Sequence, residues 1–229
     1  MADSSNPPRC IGIIMDGNRR WAREHSLPTL EGHTRGYAKA KEVARWCRDA
    51  GIPQVILYAF SNENWNREES EVSYLKGLFK KLIFEEAQEL RAENGAVRFI
   101  GNIERFGEEL TAQATHLEET NPKDPSTTVI IALSYGGREE IVHAVNAALQ
   151  HKKENITQED IASHLYTAGI PDPDLIIRTS GEKRLSGFLP WQSTYSELFF
   201  VEKHWPEFEE KDFKSVLAEY AARERRHGK

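Results

Sequence analysis

The 229-residue chain is 39% hydrophobic and 29% charged, which fits one soluble globular domain large enough to bury a sizeable core. Its net charge of −6 argues against a general nucleic-acid binder, whose affinity would come largely from a basic face. Cys10 and Cys47 have neither metal-ligand spacing nor the numbers for a disulfide framework, so a reducing compartment fits. The opening residues lack the charged start and apolar stretch of a signal peptide, and no run approaches a membrane span. The expected location is therefore the cytoplasm.

The apolar run "CIGIIM" (10–15) predicts the first strand, and it stops abruptly at Asp16. A helix is predicted over 34–50, with Thr34 as its N-cap candidate and Gly51 and Pro53 closing it. "VILYAF" (55–60) is the second strand. A longer helix is predicted over 71–94, where Leu75, Leu78, Phe79, Leu82 and Ile83 recur at helical spacing and Asn94-Gly95 is the stop. "AVRFIG" (96–101) and "TTVIIAL" (127–133) are the third and fourth strands, followed by helical stretches over 137–152 and 157–168. "DLIIRT" (174–179), "ELFFVE" (197–202) and a last helix over 209–226 complete the pattern.

These runs are nearly continuous in apolar residues, as expected when helices cover both faces of a parallel sheet. The predicted fold is a single α/β domain over 1–229, a six-stranded, mostly parallel sheet wrapped by helices, with 1–9 as a flexible N-terminus. In such sheets ligands bind beyond the carboxyl ends of the strands. Polar clusters stand there: "DGNRR" after the first strand, "SNENWNR" after the second, "SYGGR" after the fourth and "SGEKRLS" after the fifth.

Asp16-Gly17-Asn18 offers a carboxylate and a flexible turn whose backbone N–H groups can converge on an anion, with Arg20 adding a charge-assisted fork. A carboxylate facing a phosphate repels it unless a divalent cation lies between, and Mg²⁺ takes one or two carboxylates plus phosphates. The alternative is an aspartate that only caps the next helix. Arg178, Lys183 and Arg184 with Thr179, Ser180 and Ser186 suit a doubly charged oxyanion, or else a solvated charged loop. Glu197 is a second candidate carboxylate, or a surface residue. Trp65 also reads as a core-packing turn residue, and His33 as a helix-start histidine. The P-loop, the GxGxxG fingerprint, the GxSxG elbow and HExxH are all absent from the sequence.

Taken together, "MDGNRRWA", "GHTRG", "LYAFSNENWNR", "SYGGR", "DLIIRTSGEKRLSGFLPWQSTYSELFF", "WPEF" and "RERRHG" resemble the cis-prenyltransferase family, whose bacterial members include undecaprenyl diphosphate synthases. The resemblance implies a homodimer with an apolar product tunnel. It implies Mg²⁺-dependent condensation of isopentenyl diphosphate onto an allylic diphosphate, farnesyl or geranyl, to give a cis-polyprenyl diphosphate. Asp16 and Asn64 would be catalytic. The allylic diphosphate would be held by Gly17, Asn18, Arg19, Arg20, Trp21, His33, Ser61, Trp65 and Arg67, and isopentenyl diphosphate by Arg178, Arg184 and Ser186. Asp16 and Glu197 would hold the metal. The tail "RERRHG" would reach the isopentenyl site of the same or the partner subunit. Peripheral membrane contact through the hydrophobic product is compatible with this reading.

Two departures from the family pattern stand out. Arg19 replaces a glycine common in bacterial members, and Thr29 stands where an arginine is usual, so Arg19 is a candidate replacement for the lost charge. Ser134 also occupies a position that is often asparagine. The family includes non-catalytic scaffold subunits, which lack active-site residues, but this chain keeps Asp16, Arg178, Arg184 and Ser186.

Overall fold

All six apolar runs form strands: β1 (Cys10–Ile14), β2 (Gln54–Ser61), β3 (Gly95–Ile100), β4 (Thr127–Tyr135), β5 (Leu175–Thr179) and β6 (Glu197–Val201). They make one sheet in the order β3-β4-β2-β1-β5-β6, and every pairing is parallel. The computed structural model describes residues 7–151 and 155–223. The basic tail beyond residue 223 and the first six residues lie outside that range.

The runs are unbroken because successive side chains enter two different cores. Ile11, Ile13, Val55, Leu57, Val129 and Ile131 point to one face, where helices cover them. Ile14, Ile56, Ile130 and Ile176 point to the other and pack on Phe188 and Leu189. Phe188 is fully buried, and burial of such a ring stabilises the fold by about 2–3 kcal/mol.

The helices are α1 (Asn18–Glu24), α2 (Thr29–Asp49), α3 (Glu69–Lys81), α4 (Ala87–Ala92), α5 (Glu108–Glu119), α6 (Gly137–His151), α7 (Gln158–Ala162) and α8 (Glu210–Ala222). The predicted 71–94 helix is three pieces, because a π-helical turn at Leu82–Glu86 separates α3 from α4. A π turn widens the helix and rotates the next segment about the axis, so the apolar stripe of α3 does not continue in register. Helix α2 starts before Thr34, just after Pro28. The expected 157–168 helix reaches only Ala162 and gives way to turns. The short, highly charged α1 and the Glu-rich α5 carry too weak a stripe to be read from sequence.

The first polar cluster is placed by a close approach of helices. A Cβ on Gly32 would overlap the Asn18 carbonyl, and one on Gly36 the Asn18 side chain. The i, i+4 glycines of "GHTRG" therefore let α1 lie against α2 at the carboxyl edge of the sheet.

Candidate active site

Asp16 follows β1 directly, and its two carboxylate oxygens are held by two arginines. Arg20, one turn on in α1, meets Oδ1 at 3.0 Å, and Arg178 of β5 donates to Oδ2 at 2.8 Å. Burial pushes the Asp16 carboxyl up, but the hydrogen bonds from Arg178 and Arg20 outweigh it and hold the pKa below the ordinary carboxylate value. The Arg178 side chain is only 5% exposed, and it also donates to Ser186 Oγ at 2.9 Å and to the Arg184 carbonyl. Its Nε is buried without a hydrogen-bond partner among the described residues. Arg20 reaches the Ser180 carbonyl (3.3 Å) and Glu182 (3.1 Å) as well.

A second cluster stands nearby. Glu71 of α3 accepts from His33 at 2.9 Å and from Arg67 at 2.9 Å, with Arg19 Nε at 3.9 Å. Burial lowers the His33 pKa against the pull of Glu71, so the ring is favoured neutral. Burial raises Glu71, yet His33 and Arg67 bring it below its ordinary value.

Both clusters face one cavity of about 940 Å³. Asp16, Gly17, Asn18, Arg19, Arg20, His33, Ser61, Asn64, Arg67 and Arg178 line its polar end, and Asn18 Oδ1 is buried there without a hydrogen-bond partner among the described residues. The rest runs down the sheet face between α2 and α3–α4, lined mainly by apolar residues such as Ala40, Ala44, Leu57, Leu75, Phe79, Leu82 and Val129, with Lys41, Arg45, Glu89 and Glu93 also on its wall. Cations and one ionised carboxylate at the head of a long apolar cavity suit a ligand with an anionic head and a hydrocarbon tail.

Residues 14–228 match the family model described as "Putative undecaprenyl diphosphate synthase". An isoprenyl transferase of Agrobacterium fabrum is 44% identical over 98% of this chain and 93% of its own. The chain belongs to this family. A short-chain Z-isoprenyl diphosphate synthase of Mycobacterium bovis is 42% identical over 100% of this chain and 90% of its own. Lavandulyl diphosphate synthase from Lavandula x intermedia, solved with dimethylallyl diphosphate, superposes with a TM-score of 0.90 at 32% identity, covering 97% of this chain and 99% of that one. As a family member the chain performs cis-prenyl chain elongation.

Not every expected residue reaches the cavity of this cis-prenyltransferase. Arg184 turns outward to Glu182. Trp21 stacks on His25 with ring centroids 4.5 Å apart, and Trp65 donates to Ser134 Oγ at 2.9 Å while packing on Phe60 and Phe106. Ser134 thus holds Trp65 in place. Asn64 lines the cavity, but its side-chain oxygen caps the Ser61 N–H at 3.0 Å.

Glu197 lies apart from Asp16 within one chain. It opens β6 in register with Leu175, whereas Arg178 is level with Phe200, three residues further along the strand. At about 3.3 Å per residue, that places Glu197 at the amino edge of the sheet, about 10 Å or more from Arg178. There it pairs with Arg223 at 2.6 Å. Within one chain it does not share a site with Asp16.

Two acids of the site, Glu71 and Glu182, carry no signal that singles them out in the sequence. Glu71 sits four residues after Arg67 in polar sequence that reads as a solvated helix start. Only the tertiary fold buries it against His33, 38 residues earlier.

Proposed function

We propose that this isoprenyl transferase binds its allylic diphosphate at Asp16–Arg20 with Arg67 and His33, and isopentenyl diphosphate at Arg178 and Ser186. The allylic hydrocarbon then extends into the apolar cavity, which serves as the product tunnel. The observation that carries this reading is Asp16 held between Arg20 and Arg178 at the head of that cavity. Farnesyl or geranyl diphosphate is the primer.

The chemistry is set by charge. Rupture of the allylic carbon–oxygen bond builds negative charge on the departing diphosphate, and Arg20 and Arg67 are preorganised to meet it. Arg178 holds the isopentenyl head so that its double bond lies near the electron-poor allylic carbon, which supplies orientation. The new carbon–carbon bond forms as diphosphate leaves, and a proton is lost to restore a double bond. The apolar walls exclude water that would otherwise capture the allylic cation.

Mg²⁺ fits the donor set. Asp16 is an ionised, half-buried carboxylate facing the cavity, and it would hold the ion. That is the donor set of an ion shared with substrate phosphates. When bound, Mg²⁺ neutralises diphosphate charge as a Lewis acid.

We further propose a homodimer in the cytoplasm. Val142 and Leu149 of α6 and Leu198 of the edge strand β6 are exposed apolar side chains that a second copy would cover. No helix among the described residues is long and apolar enough to cross a membrane. The scaffold-subunit alternative has no structural support, because Asp16, Arg20 and Arg178 are assembled. The test is incubation with isopentenyl diphosphate, farnesyl or geranyl diphosphate and Mg²⁺, followed by product sizing. Elongated cis products that vanish on chelation support the reading, and no elongation with any primer contradicts it.

A further inference from the structure

Helix α1 carries Arg19, Arg20 and Arg23 but has only 7 residues, too few to hold its own orientation. A hydrogen-bonded chain on the side away from the cavity does that instead. His204 lies in the turn after β6. Its Nε2 is 3.1 Å from Glu24 Oε1 at the end of α1, and its Nδ1 is 2.6 Å from Ser180 Oγ after β5. A carboxylate only accepts, so in the neutral ring Nε2–H donates to Glu24, and Nδ1 accepts from the Ser180 hydroxyl.

This chain grips the turn that bears Asp16. Gly17 has φ +106°, and a Cβ there would come within 2.7 Å of both His204 Nδ1 and Ser180 Oγ. The Asp16 carbonyl accepts from Trp205 N–H at 3.0 Å and from Thr179 Oγ1 at 2.7 Å, so the neighbours of His204 and Ser180 also bind the same turn. The Ser180 carbonyl takes a hydrogen bond from Arg20 at 3.3 Å. Ser180 itself is held at φ +79°, a conformation that costs a non-glycine residue about 1–3 kcal/mol.

A Ser, His and acid in line also resemble a hydrolytic triad. Here Ser180 is buried and does not line the cavity. The N–H groups of Ser180 and Gly181 are taken by the carbonyls of Lys203 and Val201, which leaves no oxyanion donors at that position. We infer that Ser180, His204 and Glu24 are positioning residues, a relay that fixes both ends of α1 and so sets the geometry with which Asp16 and Arg20 receive the allylic diphosphate. The inference rests on the assignment of that substrate to Asp16 and Arg20.

The two links differ in weight. The Ser180 end is buried against Gly17, whereas the Glu24 side chain is 57% exposed, and exposed pairs contribute little. Asparagine at 204 puts a carbonyl oxygen near the Nδ1 position, glutamine reaches toward the Nε2 position, and leucine supplies neither. With allylic diphosphate varied at saturating isopentenyl diphosphate, His204→Asn should keep the allylic KM within about twofold of wild type. His204→Gln and His204→Leu should raise it about three- to tenfold, the worth of one hydrogen bond, with kcat and the isopentenyl KM nearly unchanged.

Ser180→Gly separates positioning from stability. Glycine relieves φ +79°, so thermal stability should hold, yet the allylic KM should rise as it does for His204→Leu. Equal KM values for His204→Asn and His204→Leu would overturn the relay, as would an unchanged allylic KM in Ser180→Gly. Absence of product from the wild-type chain would instead overturn the assigned activity.

Discussion

Arg178 and Asp16 meet at 2.8 Å across the ends of β5 and β1, and the same guanidinium holds Ser186 at 2.9 Å. One buried cation therefore links the carboxylate of the first cluster to the loop of the fourth. Asp16→Asn keeps the shape of this junction and removes its charge. Turnover should fall by roughly two to three powers of ten, because several kcal/mol of transition-state stabilisation are lost. The secondary structure should be unchanged, since the β1–β5 ladder does not depend on the charge. Steady-state kinetics with circular dichroism on the variant would check both.

The fate of Arg19 tests the compensation for Thr29. Both residues line the cavity, and Arg19 lies 3.9 Å from Glu71 in the His33–Arg67 cluster. Arg19→Gly should raise the allylic KM about three- to tenfold, consistent with loss of one partly exposed cation, while the isopentenyl KM stays within about twofold. An unchanged allylic KM would show that Arg19 replaces nothing.

Stability should depend on pH through the same cluster. His33 has a folded pKa below its ordinary 6.5, because burial disfavours the charged ring. The unfolded chain takes up a proton that the folded chain refuses, so the His33 contribution is complete above about 6.5 and declines as pH falls below it. Asp16 and Glu71, whose pKa values are lowered, add a second loss below the ordinary carboxylate range as pH falls through their folded values. Urea unfolding should show stability decreasing between pH 7 and 5.5. His33→Gln should flatten that interval and leave the acid limb.

Product length should depend on the volume of the apolar end. Ala44 of α2 is buried and lines the cavity, as do Leu82 and Ala87 of the neighbouring helical run. Ala44→Leu fills space without removing a polar contact, so it should shorten the product distribution while first-condensation turnover stays within about threefold. Product sizing by chromatography gives the readout, and an unchanged distribution would place the limit elsewhere.

Much of the fold is legible in the chain because the physics is local. The strands are continuous in apolar residues since each is covered on both faces, and Asp16, Arg20 and Arg178 stand just beyond strand ends or at them. Helix α1 is not legible, because "NRRWARE" buries only Trp21 and Ala22 and is held by residues from other elements. Glu71 and His204 take their meaning from partners 38, 24 and 180 residues away, which no spacing encodes. Glu197 stands away from Asp16 within one chain for a topological reason. That acid opens its strand rather than ending it, and in a parallel sheet the two ends lie on opposite edges.

A single-turnover chase tests the central claim most directly. The chain is loaded with Mg²⁺ and labelled farnesyl diphosphate or, in a parallel run, labelled geranyl diphosphate, then mixed with isopentenyl diphosphate. The label should move into longer cis-prenyl diphosphates as inorganic diphosphate is released, and Asp16→Asn should slow that transfer. Label recovered as the free alcohol or as unreacted primer in the wild-type chain, with farnesyl and with geranyl diphosphate alike, would contradict the account.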